Sequence, residues 1–61
     1  MFKIIECYAS GKKRQRCKTN SKEIAIIHYN YYNKRNIISI YESCDNFKTE
    51  KEISIQQLKE K

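Results

Sequence analysis

The chain has no proline, tryptophan or valine, and Gly11 is its only glycine. The single glycine rules out a glycine-rich loop that cradles phosphate, and the missing prolines rule out a Pro-rich linker. No apolar run approaches the roughly 20 residues that a membrane-spanning helix needs. The short apolar pair Ile4-Ile5 is followed at once by Glu6, so we expect no signal peptide and no membrane association.

A disulfide framework is also unexpected, because the chain has an odd number of cysteines: Cys7, Cys17 and Cys44. We predict free thiols in a reducing compartment, the cytoplasm, or the host cytoplasm for a viral protein. Together with His28 the cysteines would make a chemically sensible zinc set. They include no Cys-x₂-Cys pair, however, so we predict neither a metal nor another cofactor.

Sixty-one residues predict one small domain, residues 1–61. A chain of this size buries only about 60% of its unfolded surface, which leaves little room for a deep catalytic cleft. His28 is the sole histidine, and no nucleophile and base stand in a recognisable motif. We therefore predict a binding protein rather than an enzyme.

What the chain does have is an excess of lysine, isoleucine, asparagine and tyrosine, the residues of A- and T-rich codons. This bias predicts a low-GC source, such as a phage or another mobile element. The net charge is +6, and residues 1–22 alone account for all of it. A local excess of this kind predicts a patch that meets phosphate or an acidic protein.

The first third of the chain predicts an antiparallel hairpin. Residues 2–8 are rich in strand-forming residues with apolar side chains on both faces, which predicts a central strand. Ala9-Ser10-Gly11 is a turn signal, and residues 12–19 form the polar return strand at an edge. Strict alternation puts Lys13, Gln15, Cys17 and Thr19 on one face, and a loop of about three residues would set Cys7 facing Cys17 across the hairpin. The cations predicted to share one face are Lys12, Arg14, Arg16 and Lys18.

Two structures compete for the next segment. Asn20 and Glu23 have the spacing of a capping box, which predicts a helix start. The helix would present one apolar face, lined by Ile24, Ile27, His28 and Tyr31. The alternative is a second hairpin, because most of residues 24–32 are β-branched or aromatic.

Residues 37–43 predict a strand, with Ile38 and Ile40 on one face and Ile37 and Tyr41 on the other. The last residues, 45–61, are expected to form a mobile tail, a short strand, or a frayed helix capped by Ser54 and anchored by Leu58. The predicted fold is a small α+β domain of order ββαβ, with one helix packed on the sheet. The alternative is an all-β meander of four strands.

The basic strand carries the main functional prediction, which is contact with nucleic acid. Tyrosines and cations nearby extend the predicted surface, through ring stacking on bases or through contacts with a protein. The predicted site residues are Lys12, Lys13, Arg14, Arg16, Lys18, Lys34, Arg35, Tyr29 and Tyr32. The alternative function is a protein-binding inhibitor or adaptor, of the kind that antagonises a host defence enzyme or nucleoprotein complex. We also keep open a homodimer, since so small a chain gains stability by burying apolar surface against a second copy.

Residues 11–25 resemble a segment of the arm-binding N-terminal domain of tyrosine integrases. Both have basic hairpin strands followed by a helix that starts at a Thr/Ser-Lys-Glu-x-Ala step, here Ser21 to Ala25. The resemblance implies DNA reading through Arg14 and Arg16. In that family a third strand lies between the hairpin and the helix, whereas here a strand is predicted after the helix, so we do not assign the chain to the family.

Overall fold

A computed structural model describes residues 1–61 and contains a four-stranded antiparallel sheet with helices packed on one face. Its elements are β1 (Phe2–Cys7), β2 (Lys13–Thr19), α1 (Lys22–Tyr32), β3 (Ile37–Glu42), β4 (Lys51–Ile53) and α2 (Ile55–Lys59). The strand order is β2-β1-β3-β4. The predicted α+β class is confirmed, and the helix α1 rules out the all-β meander.

Strand β1 is central, as its apolar residues on both faces predicted. It pairs with β2 on one side and with β3 on the other, and Ile4 lies opposite both Cys17 and Ile40. Directly opposite residues of antiparallel strands share a face of the sheet. Phe2 and Ile4 are buried beneath the helices, whereas Lys3, Ile5 and Cys7 point to the open face.

The hairpin loop has the predicted turn at Ala9-Ser10-Gly11, closed by a hydrogen bond from the Tyr8 N–H to the Lys12 carbonyl (2.8 Å). Gly11 has a φ of +90°, the region that glycine enters without steric cost. This three-residue loop pairs Cys7 with Lys13. The predicted pairing of Cys7 with Cys17 is therefore wrong, and the two thiols lie on opposite faces of the sheet.

The single-face row of cations is also wrong, because β2 contains a β-bulge. Ile4 pairs with Cys17 but Ile5 pairs with Gln15, which leaves Arg16 as an extra residue. The bulge shifts the alternation by one position. Arg14 and Arg16 lie on the helix side with Cys17 and Thr19, whereas Lys18, opposite Lys3, lies on the open side.

Helix α1 begins after Ser21, one residue later than the predicted cap at Asn20. The Ser21 hydroxyl accepts a hydrogen bond from the Ile24 N–H (3.3 Å). The face against the sheet is formed by Ala25, Ile26, Tyr29 and Tyr32. The predicted apolar face is wrong: Ile24, Ile27 and Tyr31 are exposed. Apolar residues surround this helix, so the periodicity fits more than one face, and the small side chain of Ala25 lets the helix approach the sheet closely.

Strand β3 has the predicted faces, with Ile40 buried and Ile37 exposed on the other side. The loop beyond it is organised by Asp45, whose carboxylate accepts hydrogen bonds from Ser43 Oγ (2.7 Å) and Thr49 Oγ1 (2.6 Å). The Thr49 bonds and the Ser43 bond lower the pKa of Asp45 to about 2. Phe47 has a positive φ, and its ring lies against Lys3 and Lys18.

The C-terminal segment forms both a short edge strand and a helix. Strand β4 pairs with β3, and α2 begins at a complete capping box between Ser54 and Gln57. Leu58 is fully buried and joins the core with Phe2, Ile4, Ala25, Ile40 and Ile53. The anchor predicted at Leu58 is confirmed. Neither helix is long and apolar enough to cross a membrane.

Replacing Leu58 by alanine should destabilise the whole domain, since α2 has few other buried side chains. Removing a fully buried leucine typically costs about 2–5 kcal/mol of unfolding free energy, which is a large share of the stability of so small a domain. Urea denaturation followed by circular dichroism measures the loss. The exposed neighbour Gln56→Ala serves as the control, and an equal effect of both substitutions would show that α2 is not anchored through Leu58.

Candidate functional site at the basic end of the sheet

Five cations gather at one end of the sheet, which we call the basic end. The hairpin loop and the turn from α1 to β3 meet there, because Cys7 pairs with Lys13 on one side and with Ile37 on the other. Two strand spacings separate the backbones of β2 and β3, about 10 Å. The side chains of the basic end are those of Lys12, Lys13, Arg14, Lys34 and Arg35.

None of the five cations of the basic end is paired with an acid. The three salt bridges of the chain use Lys3, Arg16 and Lys61. All five side chains of the basic end are exposed. Unpaired, exposed cations retain their full charge for an external partner, so this end of the molecule projects a positive potential.

The basic end is held together by a buried carboxylate, that of Glu6, which is only 1% exposed. One carboxylate oxygen accepts hydrogen bonds from Arg16 Nε (2.7 Å) and from the Tyr8 hydroxyl (3.0 Å). The other accepts from Asn36 Nδ2 (2.7 Å). Arg16 also donates from Nη2 to the Tyr8 oxygen (2.6 Å) and lies over the ring of Tyr32. These contacts join β1, β2, the hairpin loop, α1 and the turn after it.

The same contacts tune the acidity of Glu6. The amide of Asn36 contributes most, and with Arg16 and Tyr8 it holds the pKa of Glu6 below its ordinary value of 4.5 against the opposing effect of burial. A carboxylate with this many donors stays ionised, so its charge is matched by that of Arg16 inside the fold. Arg16 therefore balances the charge of Glu6 within the domain. The bond to Glu6 raises the pKa of Arg16.

The structure divides the predicted site residues into three groups. Five form the basic end, as defined above. Arg16 and Tyr32, both half-buried, pack against each other, and Tyr29 lies half-buried against the core. Lys18 lies on the open face, its Nζ 5.2 Å from the centroid of the Phe47 ring. The binding roles of these residues stay predictions, but the half-buried rings of Tyr29 and Tyr32 are engaged in packing, and the exposed tyrosine of the helix is Tyr31.

Sequence reasoning missed Glu6 and Asn36, the residues that position the basic end. One signal was available, since Glu6 is the single acid of a strand that is otherwise apolar apart from Lys3. A charge at such a position needs a buried partner. The sequence did not identify that partner, because alternation placed Arg16 on a solvent-facing row. The bulge that turns Arg16 inward cannot be recognised from composition.

No group of three or more His, Cys, Asp and Glu side chains lies close enough to hold a metal ion. The three cysteines are free thiols, and burial raises the pKa of Cys17, which disfavours its reactive thiolate form. His28 lies on α1 and its Nδ1 is 2.9 Å from the Ile24 carbonyl oxygen. The geometry at the basic end suits electrostatic binding of an anion.

Comparisons of the chain with models of protein families, with curated proteins and with solved structures find no match.

Acid should unfold this domain partly through Glu6. Because its folded-state pKa lies below 4.5, its contribution to stability is present above about pH 4.5 and is lost as the pH falls through the folded-state value. Asp45 adds to the same trend between pH 3.8 and about 2. We expect the urea midpoint to stay level near neutral pH and to fall below pH 4.5.

The substitution Glu6→Gln isolates the contribution of this residue: it should lower stability at neutral pH and flatten the acid-dependent part of the curve. Glu52→Gln, at an exposed position of β4, should leave both unchanged. Should the variant fail to fold, the carboxyl carbon of Glu6 can be titrated by NMR in the unmodified chain. A midpoint at or above 4.5 would contradict the prediction.

Proposed function

We propose that this chain is a small, non-enzymatic binding protein that contacts nucleic acid through its basic end. The observation that carries the proposal is the convergence of five exposed, unpaired cations where the hairpin loop meets the turn after α1. Contacts of Lys and Arg with phosphate release condensed counterions, and this release provides most of the affinity of binding that does not read sequence.

The arrangement supports contact with the phosphate backbone more than reading of base edges. Lys13 lies on the open side of the sheet and Arg14 on the helix side, so the cations surround the end of the domain. They do not form the single row that would lie along a groove. Contacts with phosphate position a protein on nucleic acid without carrying sequence information. We therefore propose binding of low sequence specificity.

The second candidate is a protein-binding inhibitor or adaptor that antagonises a host enzyme or nucleoprotein complex. Its support is the same set of unpaired cations, which is complementary to an acidic protein surface as well as to phosphate. For either function we propose an origin in a phage or mobile element, from the codon bias, and a cytoplasmic location, from the three free thiols.

Binding to mixed-sequence DNA and RNA oligonucleotides should be detectable at low salt and should weaken steeply as salt is added. Each phosphate contact that is removed lowers the slope of log K against log salt by about 1. The triple variant Lys13→Gln, Arg14→Gln, Lys34→Gln should therefore lower that slope by up to about 3. Fluorescence anisotropy of labelled single-stranded and duplex oligonucleotides measures it.

A control with the same loss of charge is Lys48→Gln, Lys51→Gln, Lys59→Gln, which removes three exposed cations away from the basic end. It should retain most of the affinity. Equal losses of affinity in the two triple variants would show that binding depends on the net charge of the chain and not on the basic end. No binding by the unmodified chain at low salt would end the nucleic-acid proposal.

The inhibitor candidate has a separate test. The tagged chain is used to capture proteins from nuclease-treated lysate of a low-GC bacterium, beside the triple variant of the basic end. A stoichiometric protein partner that is retained by the unmodified chain and lost by the variant would favour this candidate. Capture from untreated lysate that nuclease treatment abolishes would favour nucleic acid instead.

A further inference from the structure

Helix α1 carries an apolar stripe that the fold of the single chain leaves uncovered. Ile24, Ile27 and Tyr31 are 45%, 64% and 63% exposed, and half-buried His28 lies beside them. Their spacing of three and four residues places them on one side of the helix, opposite Ala25 and Tyr29. The chain buries six hydrophobic residues, and these three large exposed side chains form a contiguous apolar surface on one helix.

The surface of the stripe also contains a hollow. Ile27, His28, Tyr31 and Tyr32 line a shallow hollow of about 260 Å³. Its floor is firm, because the ring of Tyr32 is braced by Arg16 on one side and meets Tyr31 edge to face with 4.9 Å between ring centroids. Through Arg16 the hollow is tied to the buried Glu6 carboxylate. A supported hollow of this size accepts an aliphatic side chain such as isoleucine.

We propose that the stripe is the interface of a homodimer in which two copies of α1 pack antiparallel about a two-fold axis. In such an interface residue i meets residue j while j meets i. The stripe has the required symmetry about the midpoint between Ile27 and His28. Ile24 then lies opposite Tyr31 of the second copy, and the isoleucines of each stripe face the hollow of the other.

Charge favours this orientation. Glu23 lies in the first turn of α1, and Lys34 and Arg35 follow its C-terminal end. Antiparallel packing places the first turn of α1 in each copy, with Glu23, near the C-terminal end of the other α1, which Lys34 and Arg35 follow. Parallel packing would instead bring the four cations of two helix ends together, which costs energy through like-charge repulsion. The antiparallel dimer also directs its two basic ends away from each other.

The size of the interface sets the expected affinity. A helix of 11 residues is about 16 Å long, so two such helices alone bury less than the roughly 800 Å² per partner of a standard interface. The dimer should therefore dissociate on dilution, with a dissociation constant in the micromolar range or weaker. The proposal is independent of nucleic-acid binding, and its test uses nuclease-treated protein.

Sedimentation equilibrium from micromolar to millimolar protein should show a monomer that converts to a dimer. Ile27→Glu places a charge at the centre of the stripe and should abolish the dimer, while circular dichroism checks that this exposed substitution leaves the fold intact. The matched control is Ile37→Glu, at a residue that is 76% exposed on the open face of the sheet, and it should dimerise normally.

Charge reversal tests the orientation. Glu23→Lys and Lys34→Glu should each weaken the dimer by about two- to fivefold, as expected of exposed ion pairs, and the double variant should recover most of the loss. In a Cys44→Ser background, a mixture of Ile24→Cys and Tyr31→Cys chains should form a mixed disulfide faster than either chain links to itself.

A chain that stays monomeric at millimolar concentration overturns the proposal, even where some other protein is found to cover the stripe. A dimer that survives Ile27→Glu, or that is lost in Ile37→Glu, also overturns it. The proposal as stated is also overturned if the double charge variant does not regain dimer affinity and chains with identical cysteine substitutions link faster than the mixture. That result would indicate a dimer that is not antiparallel.

Discussion

The carboxylate of Glu6 is the group on which the rest of this structure depends. It is buried on the central strand, where an ionised group without partners would cost more free energy than so small a domain can spare. Its three hydrogen-bond donors are Arg16 in β2, Tyr8 in the hairpin loop and Asn36 after α1, and Arg16 in turn lies over the ring of Tyr32. Satisfying one carboxylate thus fixes the hairpin, the end of the helix and the return into β3. Because three donors reach the two oxygens, breaking any one bond leaves a buried charge less well compensated.

This network also separates the surface into regions with different properties. The bulge at Arg16 turns one cation inward, so the remaining cations of the hairpin meet those of the turn after α1 at one end of the sheet. The apolar stripe of α1 faces away from the sheet, with Tyr32 and Arg16 beneath it. The acids lie mostly towards β4 and α2, where Glu42 pairs with Lys61. The domain therefore has an exposed cationic end and, on another side, an exposed apolar stripe.

Much of the fold could be predicted from local patterns. The central position of β1, the turn at Gly11, the faces of β3 and the burial of Leu58 each follow from a residue type at a position, and each is observed. Predictions that required a choice between equivalent patterns were less successful. Helix α1 has apolar residues on all sides, and Ile24, Ile27 and Tyr31 match the helical period as well as the face that packs. The predicted pairing of Cys7 with Cys17 was wrong because the length of the hairpin loop sets the register of the two strands. The observed loop pairs Cys7 with Lys13. For the candidate site, five of the predicted cations lie together, whereas Arg16, Tyr29 and Tyr32 are half-buried and engaged in packing contacts.

The amino-acid sequence by itself determined the class of the fold, the central and edge strands, and the concentration of positive charge in the first third of the chain. These properties depend on composition, on alternation and on turn and capping residues, all of which act over a few neighbouring positions. Only the tertiary structure decided which cations remain free and which face of α1 is covered. Both depend on a bulge that accommodates Arg16 beside Glu6, and on a helix that settles on its smallest side chain, Ala25. Such choices compare the packing of distant segments, so no local pattern in the sequence contains them.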